Sequence, residues 1–333
     1  MARHSELVKI PRIDRYISKL ALGTAPLGGL FTAVSDEQGQ ATVLAALDSG
    51  INFIDTAPLY GHGNAERMIG SVLSKTNKEY VISTKVGRVL KKFAPEEIAG
   101  KVDGLAAFIG VDPTIFPVFD FSRDGILRSI QESLERLNIS SIDIALIHDA
   151  DDRIDEAIKN SYPVLDELRS QGVIKGIGVG MNICSYATKA VKEMDLDVIL
   201  IAGRYSLLDQ SAQEVLFKEC LKKQTGVMVG GVYNSGVLAN PTENSTYDYI
   251  KNAKGYATLA NALGGYFCFD NKYINPAFLQ DAKLINARIN WYNAWAHYYR
   301  TGEKSQINAY KTNYKNNAYA ILEWLISYGT AIK

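Results

Sequence analysis

Cysteine is scarce. The three in the chain, Cys184, Cys220 and Cys268, are scattered and odd in number, which fits free thiols in a reducing compartment better than a disulfide framework. Long hydrophobic runs are missing: none approaches the ~18–20 residues that cross a bilayer, so no membrane association is expected. The opening Met1-Ala2-Arg3-His4-Ser5-Glu6 lacks the apolar stretch of a secretory signal, and a cytoplasmic address is expected. No charge of one sign dominates. With 36 basic and 36 acidic residues the formal net charge is zero, which argues against a nucleic-acid partner. His4, His62 and His297 stand at no metal-ligand spacing from the cysteines, so no metal is expected. A Gly-x-Ser-x-Gly elbow is absent. So is Gly-x-Gly-x-x-Gly, because Leu22-Gly23-Thr24-Ala25-Pro26-Leu27-Gly28-Gly29 does not match it.

What the chain does have is apolar mass and rhythm. Hydrophobic residues make up 47% of 333, enough for a sizeable core. Strand-like runs cover residues 20–23, 51–55, 80–85, 142–148, 174–180, 198–202 and 227–231. Helical patterns fall between them, over residues 35–47, 65–73, 125–137, 155–171, 182–193 and 211–223. Ser35-Asp36-Glu37-Gln38 reads as a capping box, and Gly172 suits the left-handed position that ends the fourth helix. Strict strand–helix alternation implies parallel strands joined by right-handed crossovers. Seven such units point to an α/β fold of the (β/α)8 TIM barrel type rather than a doubly wound sheet.

Two stretches break the rhythm. Residues 87–121 form an insertion after the third strand, at the end of the sheet where active sites assemble, and loops of that length are usually functional. Residues 239–333 are rich in tyrosine and asparagine and read as an atypical helical region, with helices over 275–300 and 317–328. Only Thr330-Ala331-Ile332-Lys333 follow, so the eighth strand is expected to be stunted or missing.

Chemistry gathers at the carboxyl ends of three strand runs. Asp55 ends one and is followed by Thr56-Ala57-Pro58-Leu59-Tyr60-Gly61. Lys85 ends the next, and His148 ends the fourth. On a parallel sheet these ends share one face. A phenol holds its proton at neutral pH, and a neighbouring ammonium eases its release. Lys85 supplies that ammonium, Asp55 pairs with Lys85, and His148 orients a substrate oxygen. The set suits carbonyl–alcohol interconversion.

Gly23-Thr24-Ala25, Asp55-Thr56-Ala57-Pro58-Leu59-Tyr60-Gly61, Ser83-Thr84-Lys85-Val86-Gly87 and Leu146-Ile147-His148-Asp149 resemble the aldo-keto reductases, over residues 20–238. The resemblance implies a catalytic tetrad of Asp55, Tyr60, Lys85 and His148. His148-Asp149, Gly178-Val179-Gly180-Met181-Asn182 and residues 203–210 and 230–238 are similar to a sugar-oxidising branch, the L-fucose (D-threo-aldose) 1-dehydrogenases and the pyridoxal 4-dehydrogenases. That branch implies NAD or NADP as cofactor and oxidation of an aldose to its lactone. The alternatives are an NADPH-dependent aldehyde reductase, or a nucleotide-binding regulatory protein with weak or no catalysis. Either enzyme takes a small-molecule substrate, an aldose or aldehyde. The resemblance assigns cofactor contacts to Gly23, Thr24, Asp55, Asn182, Tyr233, Asn234, Ser235, Gly236 and Leu238. Tyr233 is expected to stack on the nicotinamide and Asn182 to meet its carboxamide. The family's segment after the eighth strand, which binds the adenosine end, has no counterpart after Lys333, so the carboxyl-terminal region reads as atypical or truncated.

Overall fold

The computed structural model describes residues 5–30, 32–94, 97, 108–238 and 247. The chain divides into two compact units, Met1–Arg204 with Ser211–Gly230, and Tyr205–Gln210 with Gly231–Lys333.

The first unit opens with an antiparallel hairpin of β1 (Leu7–Lys9) and β2 (Tyr16–Ser18). The barrel strands follow. They are β3 (Leu22–Gly23), β4 (Phe53–Asp55), β5 (Val81–Val86), β8 (Ile142–His148), β9 (Ile174–Met181), β10 (Val198–Ala202) and β11 (Gly226–Gly230), with β6 (Arg88–Lys92) and β7 (Ile115–Phe119) lying in the insertion. Each barrel strand pairs in parallel with its predecessor in the chain. A doubly wound sheet would reverse its order at a switch point. This one does not, and the fold is the expected (β/α)8 barrel. Residues 330–333, where the eighth strand is expected to be stunted or missing, and the helices expected over 275–300 and 317–328 lie outside the described residues.

The helices form where the pattern places them. In α1 (Asp36–Asp48), Ser35 caps the first turn by accepting from the Gln38 N–H at 3.2 Å. Next come α2 (Asn64–Leu73) and α3 (Arg123–Leu137), the latter capped by Ser122 and closed by left-handed Asn138. The helix expected over 155–171 is interrupted. A π turn spans Ala157–Ser161, where Tyr162 donates back to Ala157, and Pro163, which lacks an N–H, follows. The remainder is α4 (Tyr162–Ser170), and Gly172 beyond it has φ 75° as expected. After α5 (Cys184–Glu193), α6 (Leu216–Lys223) starts later than the expected 211, behind a 3-10 turn at Ser211–Gln213.

Period-two alternation sorts each strand's residues between the barrel interior and the helix layer. Phe53, Val81, Ile144 and Leu146 cluster with Ile10, Ile13 and Val198 inside the barrel. Ile54 and Ile82 face α1 and α2, while Ala145 and Ile147 join the larger layer under α3 to α5. Strand β9 presents Gly176, Gly178 and Gly180 to the interior because larger neighbours occupy that space. A Cβ on Gly176 would fall on Ile13, and one on Gly178 would come within 2.5 Å of Leu146 Cδ2.

Two buried carboxylates, Asp143 and Asp197, and the hairpin close the amino-terminal end, while a third, Glu66, ties β5 to the helix layer. Asp143 accepts from Arg15 (2.9 Å), Lys175 (2.7 Å) and the Ile82 N–H (3.0 Å). Asp197 accepts from Arg169 (2.7 Å) and the Ile177 N–H (2.8 Å). Glu66 in α2, fully buried, accepts from Thr84 (2.6 Å) and Arg136 (2.7 Å), tying β5 to α3.

At the opposite end, β6 and β7 pair in register from Arg88↔Phe119 to Lys92↔Ile115. The expected loop thus contains two paired strands among its described residues, and Pro117 fits because an edge strand can spare an N–H. Among the described residues, no helix is long and apolar enough to cross a membrane.

Candidate active site

The same alternation that puts Phe53, Val81, Ile144 and Leu146 inside the barrel carries Asp55, Lys85 and His148 onto the interior face at the carboxyl ends of β4, β5 and β8. The apolar cluster lies beneath them. Lys85 is 1% exposed, Asp55 7% and His148 6%. Charge this deep must be compensated. The Lys85 ammonium donates to Asp55 Oδ2 at 2.7 Å and to the Thr56 carbonyl at 2.8 Å. The other Asp55 oxygen accepts from Ser83 Oγ at 2.5 Å. Burial disfavours the ammonium, yet Asp55 and Tyr60 outweigh it and hold Lys85 above its ordinary pKa.

Tyr60 reaches this centre from the loop after β4, where its N–H donates to Ala57. Lys85 Nζ lies 4.8 Å from the centre of the Tyr60 ring. The His148 ring stands edge-on to Tyr60, with centroids 6.0 Å apart. Burial pushes the phenol up to about 12 while Lys85 pulls against it. Burial also pushes the His148 imidazole down to about 3, helped by Lys85 and Arg88 and opposed by Asp149. At neutral pH the centre therefore holds a protonated phenol, an ammonium paired with Asp55, and a neutral imidazole. All four expected tetrad residues meet here.

Of the remaining expected residues, Gly23 ends β3 with open space where a Cβ would stand. Thr24 is fully buried, and its hydroxyl and N–H both go to the Asp55 carbonyl (2.9 and 3.1 Å), so it braces the tetrad's carboxylate strand. Asn182 follows β9. Its amide donates to Asp149 at 3.0 Å, its N–H to Asp151 at 3.2 Å, and its carbonyl accepts from Arg204 at 2.7 Å. Tyr233, Asn234, Ser235, Gly236 and Leu238 belong to the second unit. There Asn234, Ser235 and Gly236 take three consecutive left-handed conformations (φ 47°, 58° and 93°), and Tyr233 is exposed.

The fit to a nicotinamide cofactor rests on small residues around the ammonium. Gly23 leaves open space at the end of β3. A Cβ on Gly180 would already touch Lys85 Cε at 3.5 Å. His148 Nδ1 is buried with no hydrogen-bond partner. A flat ring fits such a mouth, and Gly23, Gly180 and Asn182 are the first-unit residues that would flank it.

Sequence reasoning missed a second buried charge pair. Arg88, 2% exposed, lies one residue past Gly87 and donates to Asp149 Oδ2 at 3.2 Å. Its guanidinium stacks 3.8 Å from the Phe119 ring centre. The signal was a basic residue two positions past the end of the third barrel strand. His62, read as a loop residue, packs edge-on against Phe108 and Phe116 of the insertion, with centroids at 6.2 and 5.9 Å. Phe108 also lies 6.4 Å from the Tyr60 ring. The insertion therefore walls the site beside Tyr60.

Comparison with known proteins agrees with this geometry. A family model described as the aldo/keto reductase family matches residues 19–294. A D-threo-aldose 1-dehydrogenase from Pseudomonas sp is 40% identical over 237 residues, covering 70% of this chain and 71% of the relative. A pyridoxal 4-dehydrogenase from Microbacterium luteolum is 37% identical over 255 residues, covering 71% and 73%. The holo form of an aldo-keto reductase from Bacillus halodurans shares the fold with a TM-score of 0.59 at 24% identity, covering 74% of this chain and 73% of that one.

Proposed function

The chain belongs to the aldo/keto reductase family, and from that premise we propose that it oxidises an aldose at the anomeric carbon to the lactone, with NAD or NADP as hydride acceptor. As a member it is an oxidoreductase whose cofactor is NAD(P)(H). The specific substrate is the further step. It is supported by the 40% identity to a D-threo-aldose 1-dehydrogenase and by the polar, charge-lined surroundings of His148.

One observation carries the reading: the buried Lys85 ammonium, paired with Asp55, lies 4.8 Å from the Tyr60 ring centre. In the oxidising direction the C1–H bond breaks, its electron pair leaves as hydride, and the C1–O bond becomes a carbonyl. A nicotinamide held at this mouth would supply the hydride acceptor. Tyr60, as phenolate, removes the hydroxyl proton from the same substrate oxygen. Lys85 stabilises the phenolate, and Asp55 keeps Lys85 charged and in place. His148, neutral, donates a hydrogen bond that aligns the substrate oxygen. In reverse, Tyr60 is the general acid. The proton passes from the substrate oxygen to Tyr60 and then to solvent.

The test is absorbance at 340 nm with L-fucose, D-arabinose and pyridoxal against both cofactors, in both directions. Aldose oxidation supports the reading. Aldehyde reduction without aldose oxidation would assign the chain to the aldehyde reductases instead.

A further inference from the structure

We propose that Asp149 is a specificity-determining residue, whose carboxylate accepts a hydrogen bond from the substrate hydroxyl on the carbon next to the reacting one. The proposal rests on the reading of the tetrad as a hydride-transfer centre, and it deepens the aldose assignment.

Position comes first. Asp149 directly follows His148 at the carboxyl end of β8, and its Oδ2 lies 3.5 Å from His148 Nε2. A substrate oxygen held by His148 is therefore beside this carboxylate, and the next oxygen along a polyol falls within its reach.

Capacity comes second. An ionised carboxylate offers about four acceptor sites. Asn182 Nδ2 occupies one on Oδ1 and Arg88 Nη2 one on Oδ2. The Asp149 side chain is still 26% exposed, whereas Arg88 behind it is 2% exposed. The pair is thus closed off at Arg88 and partly open at Asp149.

Rigidity comes third. The Asp149 N–H donates to the Gly180 carbonyl at 2.9 Å. Arg88 is clamped by its stack on Phe119, and Asn182 by Asp151 and Arg204. Asp149 adopts φ 47°, a left-handed conformation uncommon for a residue with a side chain. Residues held in such conformations cluster at ligand sites. A site built to bond a substrate hydroxyl discriminates strongly against an analogue that lacks it, because its polar group is then left unpaired.

A purely structural ion pair would share the contacts to Arg88 and Asn182 but not the substrate dependence. The test compares glyceraldehyde with propanal, which differ in hydroxylation next to the carbonyl, in the reducing direction with the full chain. In Asp149→Asn the ratio of kcat/KM for glyceraldehyde to that for propanal is expected to fall about tenfold, mostly through KM, since an amide is a weaker acceptor than a carboxylate. Asp149→Glu, which keeps the charge, is expected to recover part of the ratio. Equal losses for both substrates, or an unchanged ratio, would overturn the proposal and leave Asp149 a structural residue. If the wild type reduces both aldehydes but oxidises no aldose, the aldose reading fails while the ratio still decides the role of Asp149.

Discussion

Lys85 and Asp55 form a hydrogen-bonded ion pair of 2.7 Å that is almost wholly cut off from water. Neither charge would be tolerated there alone. Removing one partner of a buried pair costs about 3–5 kcal/mol, because the other is left uncompensated. Asp55→Asn is therefore expected to lower the melting temperature and, by weakening the ammonium's hold on Tyr60, to cut kcat by about 10²-fold or more. Thermal melting with steady-state kinetics checks this. A stable, fully active variant would show that the pair is not what charges the site.

The pH dependence follows from the two displaced titrations. With the phenol pushed up to about 12, the phenolate fraction rises tenfold per pH unit through neutrality. Oxidation is expected to accelerate across pH 7–10, while reduction, which uses the protonated phenol, stays flat there and fails only as the phenol ionises. His148, with its pKa near 3, remains neutral, so neither direction should show a limb near the ordinary histidine value. Initial rates from pH 5 to 10 test both statements. A bell centred near 6.5 would mean that His148 titrates during catalysis.

Glycines of β9 give a contrast between folding and function. At Gly178 a Cβ would press on Leu146 and the Val198 carbonyl. Gly178→Ala is expected to destabilise by about 1–3 kcal/mol, as overpacking does. At Gly180 a Cβ meets Lys85 only at 3.5 Å, so Gly180→Ala should fold normally and instead raise KM for the cofactor. Melting curves and cofactor titration separate the two.

Much of this was legible in the sequence, for physical reasons. The runs ending at Asp55, Lys85 and His148 are rich in apolar residues because their strands are buried on both faces, and a parallel sheet then places their ends together. Capping at Ser35 and the left-handed Gly172 are local signals and appeared where expected. Long-range pairings were not legible. Nothing near Arg88 in the chain announces Asp149, 61 residues away. The β6–β7 hairpin was hidden because Pro117 argues against a strand unless that strand is known to lie at an edge. The π turn before Pro163 escaped notice because a helical pattern does not reveal a one-residue slip in its hydrogen-bond ladder.

The amino-terminal clamp should be separable from the chemistry. Asp143 ties together Arg15, Lys175 and the Ile82 N–H at the end of the barrel away from the tetrad. Asp143→Ala is expected to cost about 1–3 kcal/mol of stability, mostly from the buried Ile82 N–H it leaves unpaired, with KM little changed at temperatures where the variant is folded. Denaturant unfolding alongside kinetics checks this. A selective rise in KM would show that this end communicates with the mouth.

The central claim is that Tyr60 moves the proton that accompanies hydride transfer. Its most direct test is turnover of purified Tyr60→Phe, followed at 340 nm with saturating cofactor whose binding is verified by fluorescence titration. The account predicts a loss of at least about 10³-fold in kcat with cofactor affinity within about threefold of wild type. Turnover near the wild-type rate would contradict it.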